Sequence, residues 1–156
     1  MAPGPDLQEL RVSVYATEED TQRLLHRARS LLENKVAKSA VSVFATDKPF
    51  EWADQSDDPD TGLETVGGVH DDLPQQWHIE NPGLDPGERS VYELRAGVIA
   101  EEHEVGPLLE ALTGLLCPDD QHPGPCPIPW SASFTTAIDD TDRDYLEHWY
   151  GHLRQK

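Results

Sequence analysis

The sequence predicts an α+β fold, a two-layer sandwich in which a mixed or mainly antiparallel sheet packs against about three helices. Three segments place apolar residues three or four positions apart, the spacing of an amphipathic helix. Between them lie segments in which apolar and polar residues alternate, the pattern of strands. Because such strands can pair antiparallel between the helices, a ferredoxin-like arrangement is one form that this class can take.

The first third of the chain predicts a strand, a helix and a second strand. Apolar residues alternate with polar ones over 10–16, which predicts a strand with one buried face. Thr17, followed three positions later by Asp20, predicts a capping box that starts a helix over about 18–34. Alternation returns over 39–46 and predicts the second strand.

The middle of the chain predicts a long loop and two strands. We expect a polar, acidic loop at about 47–73, which is unusually long for a compact domain. Trp77 and Ile79 predict a short strand over 75–80. A further strand is predicted over 90–99, with a bulge or bend at Gly97. A hairpin with a long connection is one way in which these two strands can pair.

The last third predicts a helix, a strand and a final helix. Leucines and a valine share one face of a helix over 103–116, and alternation over 131–138 predicts a strand. Acids from Asp140 onward suit the start of a last amphipathic helix. We expect its aromatic residues to lie in the core or at its edge, with exposure of Trp149 or Tyr150 as an interaction site as the alternative. A length of 156 residues suits one domain, so we expect a single α+β domain over 1–156.

The charge of the chain restricts its partners. Thirty Asp and Glu against 12 Lys and Arg give a formal net charge of -18. Nucleic acid and anionic membrane surfaces are therefore unfavourable partners, and a basic protein is favoured. The imbalance is local as well, because residues 49–88 hold eleven acids and residues 96–142 hold nine, with no Lys or Arg in either span.

These spans predict a small non-enzymatic binding or regulatory protein, of the immunity or adaptor type, that engages a basic partner. The long loop offers an aromatic anchor beside several carboxylates, a combination that suits a protein interface. The candidate partner-binding residues are Trp52, Asp57, Asp58 and Asp60.

The alternative hypothesis is a zinc-supported domain or a metal-dependent hydrolase. Cys117, His122 and Cys126 have the spacing Cys-x4-His-x3-Cys, which allows three ligands to surround one tetrahedral zinc ion. Asp120 or its neighbour Asp119 is the local candidate for the fourth ligand. A histidine brought over by the fold is the other candidate, namely His70, His78 or His148. A disulfide between the two cysteines, or two free thiols, would explain the same residues.

No sequence feature supports a particular reaction. The chain has neither a Gly-x-Ser-x-Gly elbow nor a glycine-rich phosphate loop, so we expect a protein that is not an enzyme. The first residues lack a basic and apolar leader, and no window approaches the roughly 18 apolar residues of a membrane span. We therefore expect a cytoplasmic protein, with a homodimer as one form of assembly.

Overall fold

The structure, a computed structural model, describes residues 5–45, 72–116 and 128–154. The strands in these ranges are β1 (Asp6–Ala16), β2 (Ser39–Phe44), β3 (Ser90–Ala100) and β4 (Trp130–Thr135). The helices are α1 (Glu18–Lys35), α2 (Asp72–Glu80), α3 (Glu102–Thr113) and α4 (Asp140–Tyr150), followed by a short 3-10 helix (Gly151–Arg154). The predicted α+β class is confirmed, with four α-helices in the described ranges where about three were expected.

The four strands form one antiparallel sheet in the order β2-β3-β1-β4. β1 and β3 are the two long central strands and pair along their whole length, from Asp6 opposite Ala100 to Ala16 opposite Ser90. The shorter strands β2 and β4 are the two edges. The mainly antiparallel sheet is therefore confirmed, whereas the sandwich and its ferredoxin-like form are not.

One face of the sheet carries the larger apolar core, and we call it the apolar face. It is formed by every second residue of β1 and β3 and is covered by α1 and α3. The strand residues are Leu10, Val12, Val14, Leu94, Ala96 and Val98, each at most 2% exposed. Ala28 and Leu32 of α1 and Leu112 of α3 pack on them. Each large aliphatic side chain buried in this way contributes about 1.5–3 kcal/mol to folding.

The start of α1 follows the sequence prediction. Thr17 has extended backbone angles, and its Oγ1 accepts a hydrogen bond from the backbone N–H of Asp20 at 3.1 Å. The Asp20 carboxylate instead pairs with Arg23 at 2.8 Å. The cap is therefore made by the threonine, and the acids of the first turn complement the positive end of the helix.

The strand predicted over 75–80 is wrong, because this segment belongs to the helix α2. Leu73 and Trp77 are four residues apart, both are buried, and Pro74 lies in the first turn, where its missing N–H costs nothing. Ile79, which suggested alternation with Trp77, is 79% exposed. The predicted hairpin with β3 is therefore absent. Residues 72 and 73, predicted as the end of the long loop, belong to α2, and the rest of the predicted loop, 47–71, lies outside the described residues.

The bulge predicted at Gly97 is also wrong. β3 keeps an unbroken register with both neighbours through this residue, which pairs with Glu9 on one side and Ala40 on the other. The Tyr150 ring of α4 lies directly on the glycine, so that a Cβ atom there would be 2.0 Å from Tyr150 Cδ1. The missing side chain is needed for the close approach of α4 to the sheet.

The last helix does not present an exposed aromatic residue. Tyr150 is buried, and Trp149 is half-buried with its ring 6.0 Å from the ring of Phe44. Both residues therefore lie in the core or at its edge, as expected, and the alternative of an exposed interaction site at these two positions is wrong. Among the described residues, no helix is both long enough and apolar enough to cross a membrane.

Candidate functional site

The partner-binding and metal-binding residues predicted from the sequence lie outside the described residues. This holds for the partner-binding candidates Trp52, Asp57, Asp58 and Asp60, and for the metal candidates Cys117, Asp120, His122 and Cys126. Both sets stay predictions. Elemental analysis with a count of free thiols tests the zinc hypothesis, because a bound ion would protect both cysteines.

The sheet topology brings two acidic helix starts together. β3 and β4 both run antiparallel to β1, so both end beside its first residues, where Ala100 pairs with Asp6 and Thr135 with Glu9. α3 and α4 follow these strands directly and therefore begin at the same end of the sheet. We call this the acidic end and define it by Glu101, Glu102, Glu104, Asp139, Asp140 and Asp142.

Some of these carboxylates have a local structural role. Glu104 Oε1 accepts a hydrogen bond from the N–H of Glu101 at 3.0 Å, and Asp139 Oδ1 accepts one from the N–H of Asp142 at 2.9 Å. Such caps satisfy backbone donors that have no partner inside a helix. The acids also interact favourably with the positive helix ends, by about 0.3–1 kcal/mol each.

Other carboxylates of the acidic end have no such role. Glu102 and Asp140 are exposed, and neither makes an ion pair or a side-chain hydrogen bond within the described ranges. Nearby, Arg154 is already paired with Asp6 and Glu147. The acids therefore keep an excess of negative charge at this end of the sheet.

An exposed apolar residue lies among these acids. Ile138 precedes Asp139 and is 82% exposed. It lines one surface cavity together with Glu102 and Arg143, which places the starts of both helices beside it. Phe134, near the end of β4, is 55% exposed. The acidic end thus combines negative charge with apolar area.

One group at this end has the spacing of metal ligands. Potential ligand atoms of Glu101, His103 and Glu104 lie within 4.8 Å of one another. However, Glu104 already accepts the N–H of Glu101, and the group lies at the positive end of α3, which disfavours a cation. We therefore explain these residues as a helix start rather than a metal site.

The opposite face of the sheet contains a buried charge cluster. The cluster consists of Glu9, Arg11, Glu93, Arg95, Tyr145 and Tyr150. Glu9 and Glu93 are 0% exposed and Arg95 is 2% exposed. The sequence predicts one buried face for β1, but α4 buries the second face as well, so that prediction is corrected here.

Glu9 is the centre of the cluster. Its Oε2 accepts hydrogen bonds from the hydroxyl groups of Tyr145, at 2.6 Å, and Tyr150. Its Oε1 accepts one from Arg11 Nε. These bonds satisfy the carboxylate of β1 with two side chains of α4, and they therefore hold this helix on the sheet.

A second ion pair continues the cluster across the sheet. Arg95 Nη2 lies 3.1 Å from Glu93 Oε2, and Arg11 Nε lies 3.9 Å from Glu93 Oε1. The Arg95 guanidinium also lies over the Phe44 ring, 4.1 Å from its centroid. Two carboxylates and two guanidinium groups balance each other, which is the condition for tolerating buried charge.

The pKa values of Tyr145, Tyr150 and Arg11 are shifted further above neutral pH. Burial, followed by the negative charge of Glu9, raises the pKa of Tyr145 and Tyr150. For Arg11, burial acts to lower the pKa, but Glu9 and the other neighbours outweigh it and the pKa is raised. The two tyrosines and Arg11 therefore stay protonated at neutral pH and keep their role as hydrogen-bond donors, which positions α4 on the sheet.

Sequence reasoning missed this cluster because Glu9 and Arg11 look like the solvent-facing residues of an amphipathic strand. The available signal was the pair Tyr145 and Tyr150, five residues apart on the apolar side of an amphipathic helix. A buried tyrosine needs a hydrogen-bond partner, and a strand carboxylate supplies it.

No family model matches this chain, and no curated protein matches it. Among solved structures, it is similar to one described as "De novo designed protein Foldit4". The TM-score is 0.42 at 12% identity, over 83% of this chain and 94% of that chain. At this level the likeness carries no argument about fold or function.

Proposed function

We propose that this protein is a non-enzymatic binding protein whose acidic end engages a basic surface of another protein. The observation that carries the proposal is the meeting of two acidic helix starts around the exposed Ile138. Negative charge supplies attraction to a cationic partner, and the apolar side chain supplies contact area that charge alone does not give.

The helix caps account for only part of the charge at this end. Glu102 and Asp140 contribute charge without capping a backbone donor or pairing with a described cation. A net charge of -18 adds to the same field and accelerates encounter with a positive surface. Because exposed charges are screened over about 8 Å at physiological ionic strength, this contribution weakens as salt is added.

The buried charge cluster supports the proposal through the position of α4. Glu9 accepts hydrogen bonds from Tyr145 and Tyr150, which fixes the helix that begins at Asp140. A fixed helix start holds its carboxylates at a constant distance from those of α3. Binding then requires less ordering of the surface, which favours affinity.

The experiment compares two double variants that have the same net charge. One is Glu102→Gln with Asp140→Asn at the acidic end. The other is Glu88→Gln with Glu110→Gln, two exposed acids at other positions. Binding of poly-L-lysine is measured by isothermal titration calorimetry across a salt series, and circular dichroism confirms that each variant is folded.

We expect the first variant to bind about tenfold more weakly, or about 1.4 kcal/mol, with a smaller salt dependence. The second variant should bind like the wild-type protein. Equal losses in both variants would show that only net charge matters, and would contradict the assignment of binding to the acidic end. Ile138→Ser should weaken binding without changing the salt dependence.

A further inference from the structure

The two edge strands of the sheet, β2 and β4, differ in whether their outward backbone groups have a hydrogen-bond partner among the described residues. The N–H of Ile99 donates to the carbonyl of Lys38 at 3.4 Å. Bonded residues alternate in an antiparallel pair, so β2 bonds to β3 through its even-numbered residues. The backbone groups of Ser39, Val41 and Val43 therefore point away from the sheet. Arg29 of α1 donates to the outward carbonyl of Val41 at 3.1 Å, which closes the middle of this edge.

The backbone hydrogen bonds between β4 and β1 determine which N–H and C=O groups of β4 point away from the sheet. The N–H of Tyr15 donates to the carbonyl of Pro129 at 3.1 Å. In an antiparallel pair the bonded residues alternate, so β4 bonds to β1 through its odd-numbered residues. The N–H and C=O groups of Trp130, Ala132 and Phe134 consequently face away from β1. Within the described ranges no hydrogen bond is found for these outward groups.

β4 also lacks the usual side-chain protection of an edge. Its sequence, Trp-Ser-Ala-Ser-Phe-Thr, contains no charged residue and no proline, two of the devices that prevent a further strand from pairing. Ser133 and Phe134 are exposed, so no part of the described ranges covers the second half of the strand. The edge ends at Thr136, whose carbonyl accepts the N–H of Ile138 at 2.9 Å.

We infer that an extended, basic segment of the partner adds to this open edge as a fifth strand beside β4. The inference rests on the proposed function and names the way in which the partner docks. Main-chain hydrogen bonds to Trp130, Ala132 and Phe134 supply affinity, and pockets beside alternate side chains supply specificity.

The negative charge near β4 favours a basic segment of another protein as the added strand. The exposed acids Asp139 and Asp140 lie four and five residues after the end of β4, and Glu102 shares a cavity with Thr136. A segment that carries lysine or arginine is attracted to these residues. A second copy of this chain is disfavoured as the occupant, because two molecules of charge -18 would repel each other.

The register also defines the side chains of the segment. Phe134 and Trp130 lie on the same side of the sheet as the apolar face, whereas Ser131 and Ser133 lie on the other side. An added strand would place every second side chain on the side of the sheet that carries Trp130, Ala132 and Phe134, which favours apolar residues there. Its remaining side chains would lie beside serines and carry the positive charge.

The probe is an octapeptide of alternating valine and lysine with blocked ends, and binding to the full-length protein is measured by calorimetry. A second peptide has the same side chains but methyl groups on its four central backbone nitrogens, which removes the donors that strand addition requires. Ala132→Pro removes an outward N–H without removing a bond to β1, and proline is tolerated at such edge positions. Ser39→Pro makes the same change at the other edge and is the control.

We expect the octapeptide to bind the wild-type protein and Ser39→Pro alike, and to bind Ala132→Pro at least tenfold more weakly. The methylated peptide should lose at least as much affinity. In the wild-type protein, hydrogen exchange at Trp130, Ala132 and Phe134 should slow when the octapeptide binds. The methylated peptide and the exchange measurement test the inference even where Ala132→Pro fails to fold.

Equal binding of the methylated and unmethylated peptides would overturn the inference. If Glu102→Gln with Asp140→Asn still weakened that binding, the proposed function would survive and only strand addition would fail. No binding of the octapeptide or of poly-L-lysine would contradict both. A dimer that dissociates in Ala132→Pro, observed by sedimentation, would assign the edge to a second copy and would also overturn the inference.

Discussion

The two faces of the central strands use the same backbone for different purposes. On the apolar face, alternate residues such as Val12 and Ala96 are buried beneath α1 and α3 without a charged side chain among the cluster. On the opposite face, their neighbours Arg11 and Arg95 belong to a cluster that also contains two fully buried glutamates. The first face is held by non-directional packing, and the second by hydrogen bonds with fixed geometry.

This difference separates stability from positioning. Apolar packing is proportional to the buried area and tolerates changes of shape that keep the volume. A buried ion pair adds little net stability but is costly to break, since one charge is then left without its partner. The apolar face therefore stabilises the sheet, whereas the charge cluster specifies how α4 sits on it.

The largest effect is expected from removing the central carboxylate. Glu9→Leu leaves Arg11 and the two tyrosine hydroxyls without their acceptor, and the free energy of unfolding should fall by about 3–5 kcal/mol. Urea denaturation followed by circular dichroism measures this loss. The double variant Glu9→Leu with Arg11→Met removes both charges and should recover part of it. A loss below about 1 kcal/mol, the size of an exposed ion pair, would contradict the cluster.

A comparable loss is expected on the apolar face, with a different dependence on pH. Leu112 is 1% exposed, and Leu112→Ala should lower the free energy of unfolding by about 2–5 kcal/mol. No titrating group is removed, so the difference from wild type should be the same at neutral and at alkaline pH. Leu109→Ala, at a half-buried position of the same helix, is the control and should cost less.

The two tyrosines of the charge cluster should make the stability of this face depend on pH, in contrast to the apolar face. Tyr145→Phe and Tyr150→Phe each remove a hydrogen bond to a charged acceptor, which should cost about 1.5–3 kcal/mol at neutral pH. Because their pKa values are raised in the folded state, the unfolded chain releases these protons first as pH rises above 10.0. Wild-type stability should therefore be complete below that pH and fall above it.

Denaturation curves collected at several values of pH test this expectation. The double variant Tyr145→Phe with Tyr150→Phe should start from a lower stability and lose less of it as the pH rises above 10.0. An alkaline loss that is unchanged in the double variant would show that the two hydroxyl groups are not responsible for it.

The smallest effect concerns the contact between α4 and the sheet. Gly97→Ala forces the Tyr150 ring to move and should lower the free energy of unfolding by about 1–3 kcal/mol. The loss should be smaller in a Tyr150→Ala background, because the clash is then absent. Gly106→Ala is the control, since nothing lies within 4 Å of a Cβ atom there. It should leave stability unchanged or raise it.

Local signals predicted several elements well. The apolar spacing predicts α1 and α3, and the Thr17 cap predicts where α1 begins. Alternation predicts β1, β2 and β4, and strand-forming residues such as Val91 and Tyr92 predict β3. β4 ends three residues before the predicted boundary at residue 138. These features depend on neighbours in the chain, so a single sequence is sufficient to find them.

The errors occurred where contacts between distant residues decide the structure. Trp77 and Ile79 alternate as in a strand, but the buried pair Leu73 and Trp77 forms a helix against Tyr15 of β1. Gly97 looked like a bulge, whereas it is required by the ring of Tyr150. In both cases the partner lies more than 50 residues away in the sequence.

For the candidate site, too, the sequence alone predicts some features, and the tertiary structure determines the others. The excess of acids, and hence the preference for a basic partner, follows from composition, because charge is a property of the residues themselves. The meeting of Glu102 and Asp140 at one end of the sheet, the open edge of β4 and the burial of Glu9 do not follow from it. Only strand pairing and helix packing determine them, because they bring together residues that no local pattern connects.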